Sequence, residues 1–122
     1  MRKQSKYHNK KITVKGETYD SIREYNRYLE LSLLQRAGRI QDLKRQVKFV
    51  LIPTQREPDI IGPRGGVKQG KLLEKECAYF ADFTYYQDGQ FVVEDTKGDR
   101  TPDYIIKRKL MLKVHGVRIR EV

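Results

Sequence analysis

At 122 residues the chain has the length of one domain, enough to bury a core of its own and too little for two. Its 26 Lys and Arg against 16 Asp and Glu give a formal charge of +10, which favours a polyanionic partner such as DNA or RNA. With 38% hydrophobic residues and no long apolar run, it offers no transmembrane helix; Met1-Arg-Lys-Gln-Ser5 lacks the apolar core of a signal peptide, and the single cysteine, Cys77, rules out an internal disulfide or a thiolate zinc cluster. A cytoplasmic location with no membrane partner is expected.

Residues 1–11, with Arg2, Lys3, Lys6, Lys10 and Lys11 and almost no apolar content, read as a flexible basic arm, and residues 12–122 as a single domain. Ile12–Val14 and Glu17–Tyr19 flank Lys15-Gly16 as a small hairpin. Ser21-Ile-Arg-Glu24 matches a capping box, in which Glu24 would bond back to the Ser21 amide. Ile22, Tyr25, Leu29 and Leu33 recur at helical spacing and Ala37-Gly38 is a left-handed stop, so a helix is predicted over 21–37. After a basic connector, Leu43-Lys-Arg-Gln46, the run Val47–Ile52 reads as a strand ended by Pro53. Residues 53–73, with three prolines, four glycines and little periodicity, predict a mobile loop whose Arg56, Arg64, Lys68 and Lys71 could wrap a nucleic-acid backbone.

A long hairpin follows. Asp88-Gly89 accepts the positive φ values of a type I′ turn between runs rich in Tyr, Phe, Val and Thr, giving strands of about 74–86 and 90–97. A two-residue loop sets Gln87 opposite Gln90 and, carried along the arms, Asp82 opposite Asp95. Opposed side chains have Cβ atoms about 4.5–5.5 Å apart, where like charges need compensation that a divalent cation would supply. Lys97 shares a face with Asp95, while Glu94 points the other way. Strict alternation puts Phe80, Phe91 and Val93 on the Asp82 side and Tyr79, Ala81, Phe83 and Val92 on the other. Two apolar faces call for cover on both sides. Thr101-Pro102-Asp103 starts a second helix, over 102–114, which His115-Gly116 closes. Val117–Val122 alternates as a terminal strand added parallel to the hairpin's second arm. The fold class is mixed α/β: a central mixed sheet of about four strands in the order α-β-β-β-α-β, with helices on both faces.

This order, with Asp82 on one strand and Asp95-Thr-Lys97 on the next, resembles the core of the PD-(D/E)xK nuclease superfamily from about Ser21 to Val122. The wording Tyr79-Phe-Ala-Asp-Phe-Thr-Tyr85 and Val92-Val-Glu-Asp-Thr-Lys-Gly98, with Lys6–Lys11 and Ser21–Glu24, is also similar to a family of small phage-encoded proteins assigned to that superfamily. Ala81 stands where the superfamily's name has Pro. The resemblance implies a restriction-endonuclease-like core and a metal-dependent endonuclease acting on DNA. Its substrate would be a branched structure such as a four-way junction, in phage recombination, replication or packaging. Asp82, Asp95, Lys97 and Glu24 match the catalytic positions.

The chemistry fits those residue types. Mg²⁺ or Mn²⁺ takes oxygen ligands and few protein carboxylates, so Asp82, Asp95 and one backbone carbonyl, that of Thr96, would suffice. Lys97 would orient or deprotonate the attacking water, and Gln46 could contact it as an accessory group. Lys10, Lys11, Arg64, Lys68, Lys71, Lys107 and Lys109 are the candidate phosphate contacts, DNA is the expected partner, and symmetric cutting would need a homodimer; no organic cofactor is expected. Each assignment has a plainer competitor: Asp82 as a strand-edge acid paired with a nearby lysine, Lys97 as a salt bridge to Asp95, Glu24 as a helix cap. Glu94 is the reserve carboxylate should a bulge shift the register by one. Cys77, His8 and His115 carry no site. The alternatives are a non-catalytic DNA-binding protein of a phage and a structural protein of a phage assembly.

Overall fold

The computed structural model describes residues 10–96 and 99–122. The expected site residue Lys97 and most of the basic arm lie outside them. The elements are β1 (Ile12–Val14), β2 (Glu17–Tyr19), α1 (Ile22–Arg36), β3 (Gln41–Ile52), β4 (Gln55–Arg56), β5 (Ile60–Ile61), β6 (Val67–Lys68), β7 (Leu72–Glu74), β8 (Cys77–Gln87), β9 (Gln90–Asp95), α2 (Pro102–Leu110) and β10 (Arg120–Glu121). A π-helical turn over Met111–His115 prolongs α2, and Gly116, at φ 68°, ends it. The protein is mixed α/β, built on a four-stranded mixed sheet in the order β10-β9-β8-β3. Adjacent strands are antiparallel except for β10, which runs parallel to β9 and sets Glu121 beside Asp95. Among the described residues, no helix is long and apolar enough to cross a membrane.

Local signals act where they were read. Asp88 and Gly89 have φ of 52° and 77°, and Gln87 pairs with Gln90. Ser21 caps α1 through its hydroxyl, which accepts from the Glu24 amide, and Thr101 caps α2 in the same way from Tyr104. β3 is twice its expected length. The stretch expected to be a connector, Leu43–Gln46, is strand, because Leu43, Arg45, Val47, Phe49 and Leu51 turn inward alternately.

Two apolar clusters cover opposite faces. Leu51, Tyr79, Ala81 and Val93 pack with Tyr104 and Met111, and Phe83, Tyr85, Val92 and Ile40 pack with Leu31 of α1. Tyr79 and Ala81 therefore join Val93, against the expected division, while Phe83 and Tyr85 serve the other cluster. Strict alternation fails in between: β3 and β8 pair regularly on both sides of Gln46 and Asp82 but not through them, and Gln46 takes φ 51°.

The face that α1 buries also differs from the expected stripe. Ile22, Leu29 and Leu33 are exposed, whereas Glu24 and Leu31 are buried, with Tyr28 and Leu34 packed beside Leu31. The spacing supports either stripe. The sheet selects the second through Arg27, whose guanidinium grips the fully buried Glu94 at 2.5 and 2.9 Å.

The segment expected to be a mobile loop is a two-tier hairpin. β4 pairs with β7 and β5 with β6, both antiparallel. Gly70 makes the junction possible: a Cβ there would lie 1.7 Å from the Glu57 carbonyl oxygen.

Candidate metal centre

The carboxylates of Asp20, Glu24 and Asp82 offer oxygens within 4.8 Å of one another. They arrive from three elements: Asp20 precedes the α1 cap, Glu24 lies in the first turn of α1, and Asp82 sits at the interruption of β8. Glu24 is the most enclosed, 1% exposed. Its Oε2 accepts the Asp20 amide at 2.7 Å and its Oε1 the Gln46 side-chain amide at 2.9 Å. The capping-box expectation is thus half met: the Ser21 hydroxyl takes the Glu24 amide, but the Glu24 carboxylate bonds the Asp20 amide and not that of Ser21. Burial, and then the negative charge of Asp82, raise the Glu24 pKa above the ordinary carboxylate value.

Gln46 ties the cluster together. Besides Glu24 it reaches Asp82 Oδ1 at 3.4 Å, so one amide spans both carboxylates. The interruption shared by β3 and β8 is what brings it there, since Gln46 and Asp82 have left the regular pleat at the same level of the sheet. Asp82 Oδ2 accepts both the Thr96 amide, at 2.8 Å, and the Thr96 hydroxyl, at 2.7 Å. These bonds fasten the end of β9 to β8 beyond the last regular pair, Phe83 with Glu94.

Asp95 is buried and accepts a hydrogen bond from the Tyr79 hydroxyl, on the face that packs against α2. It is not one of the three clustered carboxylates. The Tyr79 hydroxyl is held protonated by its burial and by the Asp95 charge, which raise its pKa well above the phenol range. Glu94, the reserve carboxylate, is committed to the fold: it pairs with Arg27 and accepts the Tyr85 hydroxyl at 2.5 Å. Arg45 stands beside the site with Nη2 3.9 Å from Glu24, but its guanidinium is engaged by Glu17, the Thr18 carbonyl and the Tyr19 ring.

Of the expected residues, the fold brings together Glu24, Gln46, Asp82 and Thr96. Asp20 was missed. Its sequence signal is faint: an acid one position before a helix cap whose oxygens reach the cluster only once α1 is seated. Among the expected phosphate contacts, Lys10, Lys11, Arg64, Lys68, Lys71 and Lys109 are exposed and Lys107 is half-buried.

Residues 4–121 match the family described as "Protein of unknown function (DUF1064)". The chain belongs to that family. No curated protein and no solved structure matches it.

Proposed function

We propose that this DUF1064 chain is a divalent-metal-dependent endodeoxyribonuclease with a restriction-endonuclease-like core. The observation that carries the reading is the convergence of Glu24 and Asp82 under one Gln46 amide, at the point where two neighbouring core strands interrupt their pairing together. A stable protein gains nothing from pressing a buried glutamate against a second carboxylate, and raised carboxyl pKa values of this kind are common at functional sites. The donor set is all oxygen, which suits Mg²⁺ or Mn²⁺ and not a thiolate- or imidazole-seeking metal. Glu24 and Asp82, with Asp20 at the exposed edge, would hold the ion; Asp95, turned to Tyr79 on the α2 side, is not one of these donors, and Lys97 keeps its expected role beside the attacking water on the sequence alone.

A bound ion of this class supplies charge stabilisation at the phosphoryl oxygens and acidifies water. The chain's own contributions are positional. Gln46 fixes the facing oxygens of Glu24 and Asp82. Thr96 holds Asp82 from the β9 side with two donors, leaving Oδ1 toward Gln46. The formal charge of +10 attracts the polyanionic substrate to a locally acidic site.

The test is incubation of the protein with supercoiled plasmid, a four-way junction and linear duplex DNA in Mg²⁺, Mn²⁺ or EDTA. Metal-dependent cutting that Asp82→Ala and Glu24→Ala abolish, with DNA affinity largely kept, supports the reading. A protein that binds DNA but cuts none of these in either metal would be a binding module instead.

A further inference from the structure

We propose that the two-tier hairpin β4–β7 is a DNA-gripping arm, its basic tip bonding phosphates while the Ile61–Val67 pair lies in a groove of the duplex. The inference deepens the reading above by assigning the surface that holds the substrate.

The arm is a built element. At its waist the Glu57 amide bonds the Lys71 carbonyl at 2.8 Å, the Gly70 amide bonds Asp59 Oδ1 at 2.9 Å, and Arg56 Nη1 reaches the Gly70 carbonyl at 3.2 Å. The Gly70 backbone is so close to Glu57 that no Cβ fits between them. At its end, Gly62 and Gly66 bond across a Pro63-Arg64-Gly65 turn with Gly65 at φ 81°, which sets Arg64 at the apex. The two acids of the arm's first half, Glu57 and Asp59, belong to the waist.

Beyond that waist the charge is one-sided. From Ile60 to Gln69 the chain carries Arg64 and Lys68 and no acid, Lys71 follows at the waist itself, and all three cations are exposed. Ile61 faces Val67 across the ribbon, 74% and 67% exposed, on the side opposite Ile60 and Lys68. Bare two-stranded ribbons are marginal in water, and an apolar pair so exposed is left uncovered at a cost. Duplex DNA supplies both missing partners: phosphates for the three cations, and a groove about 12 Å wide that admits a two-stranded ribbon, or base edges that accept apolar side chains.

The experiment measures binding of the full chain to a labelled linear duplex in EDTA, so that no cutting enters. The variants are Arg64→Ala/Lys68→Ala/Lys71→Ala together and Ile61→Ser/Val67→Ser together, with unchanged circular dichroism melts as the folding control. The charge variant should bind at least about tenfold more weakly, and its slope of log K against log salt should be shallower by about 3. The apolar variant should lose affinity with the slope unchanged, because that contact releases no counterions. Wild-type affinity and slope in the charge variant would overturn the proposal. So would a shift from dimer to monomer in the apolar variant with DNA affinity intact, which would make the arm a contact between two copies. Lost binding in these variants with no cleavage by the wild type would leave the arm standing and remove the nuclease; metal-dependent cleavage with normal binding by both variants would do the reverse.

Discussion

Gln46 and Asp82 face each other at a shared break in the pairing of β3 and β8, and the amide of one reaches the carboxylate of the other at 3.4 Å. A left-handed backbone at a non-glycine residue costs about 1–2 kcal/mol, and Gln46, φ 51°, adopts it where its amide spans Glu24 and Asp82. Gln46→Gly relieves the backbone but leaves the buried Glu24 oxygen without its donor, so stability should fall by about 1 kcal/mol while Mn²⁺ affinity weakens about 10- to 100-fold, the range for groups that orient metal ligands. Melting curves and Mn²⁺ titration of the same preparation check both halves.

Glu24 predicts a pH effect. Its raised pKa means that the folded state holds this proton more tightly than the unfolded chain does. Its contribution to stability is therefore present at low pH and is lost as pH rises from about 4.5 through the raised folded value. Glu24→Gln removes the titrating charge and should flatten this part of the profile, leaving the variant more stable than wild type at pH 8 by about 1 kcal/mol. Added Mg²⁺ should raise the melting temperature of the wild type and not of the variant, and cleavage should vanish in the variant. Melts between about pH 4 and 8, with and without metal, decide it.

The Arg27–Glu94 pair should behave as a buried ion pair of the fold. Arg27→Ala leaves Glu94, 0% exposed, without its cation and should cost about 3–5 kcal/mol by urea denaturation. Arg27→Met with Glu94→Leu should recover most of that loss, since well-packed apolar replacements of buried pairs are often neutral, although the Tyr85 hydroxyl then loses an acceptor.

At the other edge, Arg100, Tyr104 and Arg108 all donate to Glu121, joining β10 to α2. The Arg100 bond foremost, with help from Tyr104 and Arg108, pulls the Glu121 pKa down to about 2. A depressed carboxyl pKa stabilises the fold above the unfolded value, and that stability is lost as pH falls from about 4.5 toward 2. Glu121→Gln should cost about 1–2 kcal/mol at neutral pH, and little at pH 2, because partial exposure screens the pair. Parallel acid titrations of the two proteins measure the convergence.

Gly70→Ala tests the arm's construction without touching its charge. The added methyl must displace the Glu57 carbonyl, so protease nicking within residues 55–74 should increase while the core keeps its melting temperature. A coincident fall in the core melt would show that the arm and sheet unfold as one.

The hairpin register, both helix caps and the parallel terminal strand could be read from the chain because turn chemistry and capping act over a few residues. Asp88-Gly89 needs no distant partner to adopt its φ values, and Ser21 finds its donor three positions away. What depended on the tertiary structure involved choices that local physics leaves open. Two stripes on α1 satisfy helical spacing, and the Arg27–Glu94 pair, 67 positions apart, selects the one that seats Glu24 over the sheet. Alternation along β8 gives one division of its side chains, and the break opposite Gln46 replaces it with another, turning Asp82 toward Glu24 and Asp20. The arm's strands are two or three residues long, too short for any periodicity to announce, and exist because Gly70 lets one chain cross against the other. Segments signal their own conformation, whereas which groups converge on a site is settled by packing between elements far apart in the chain.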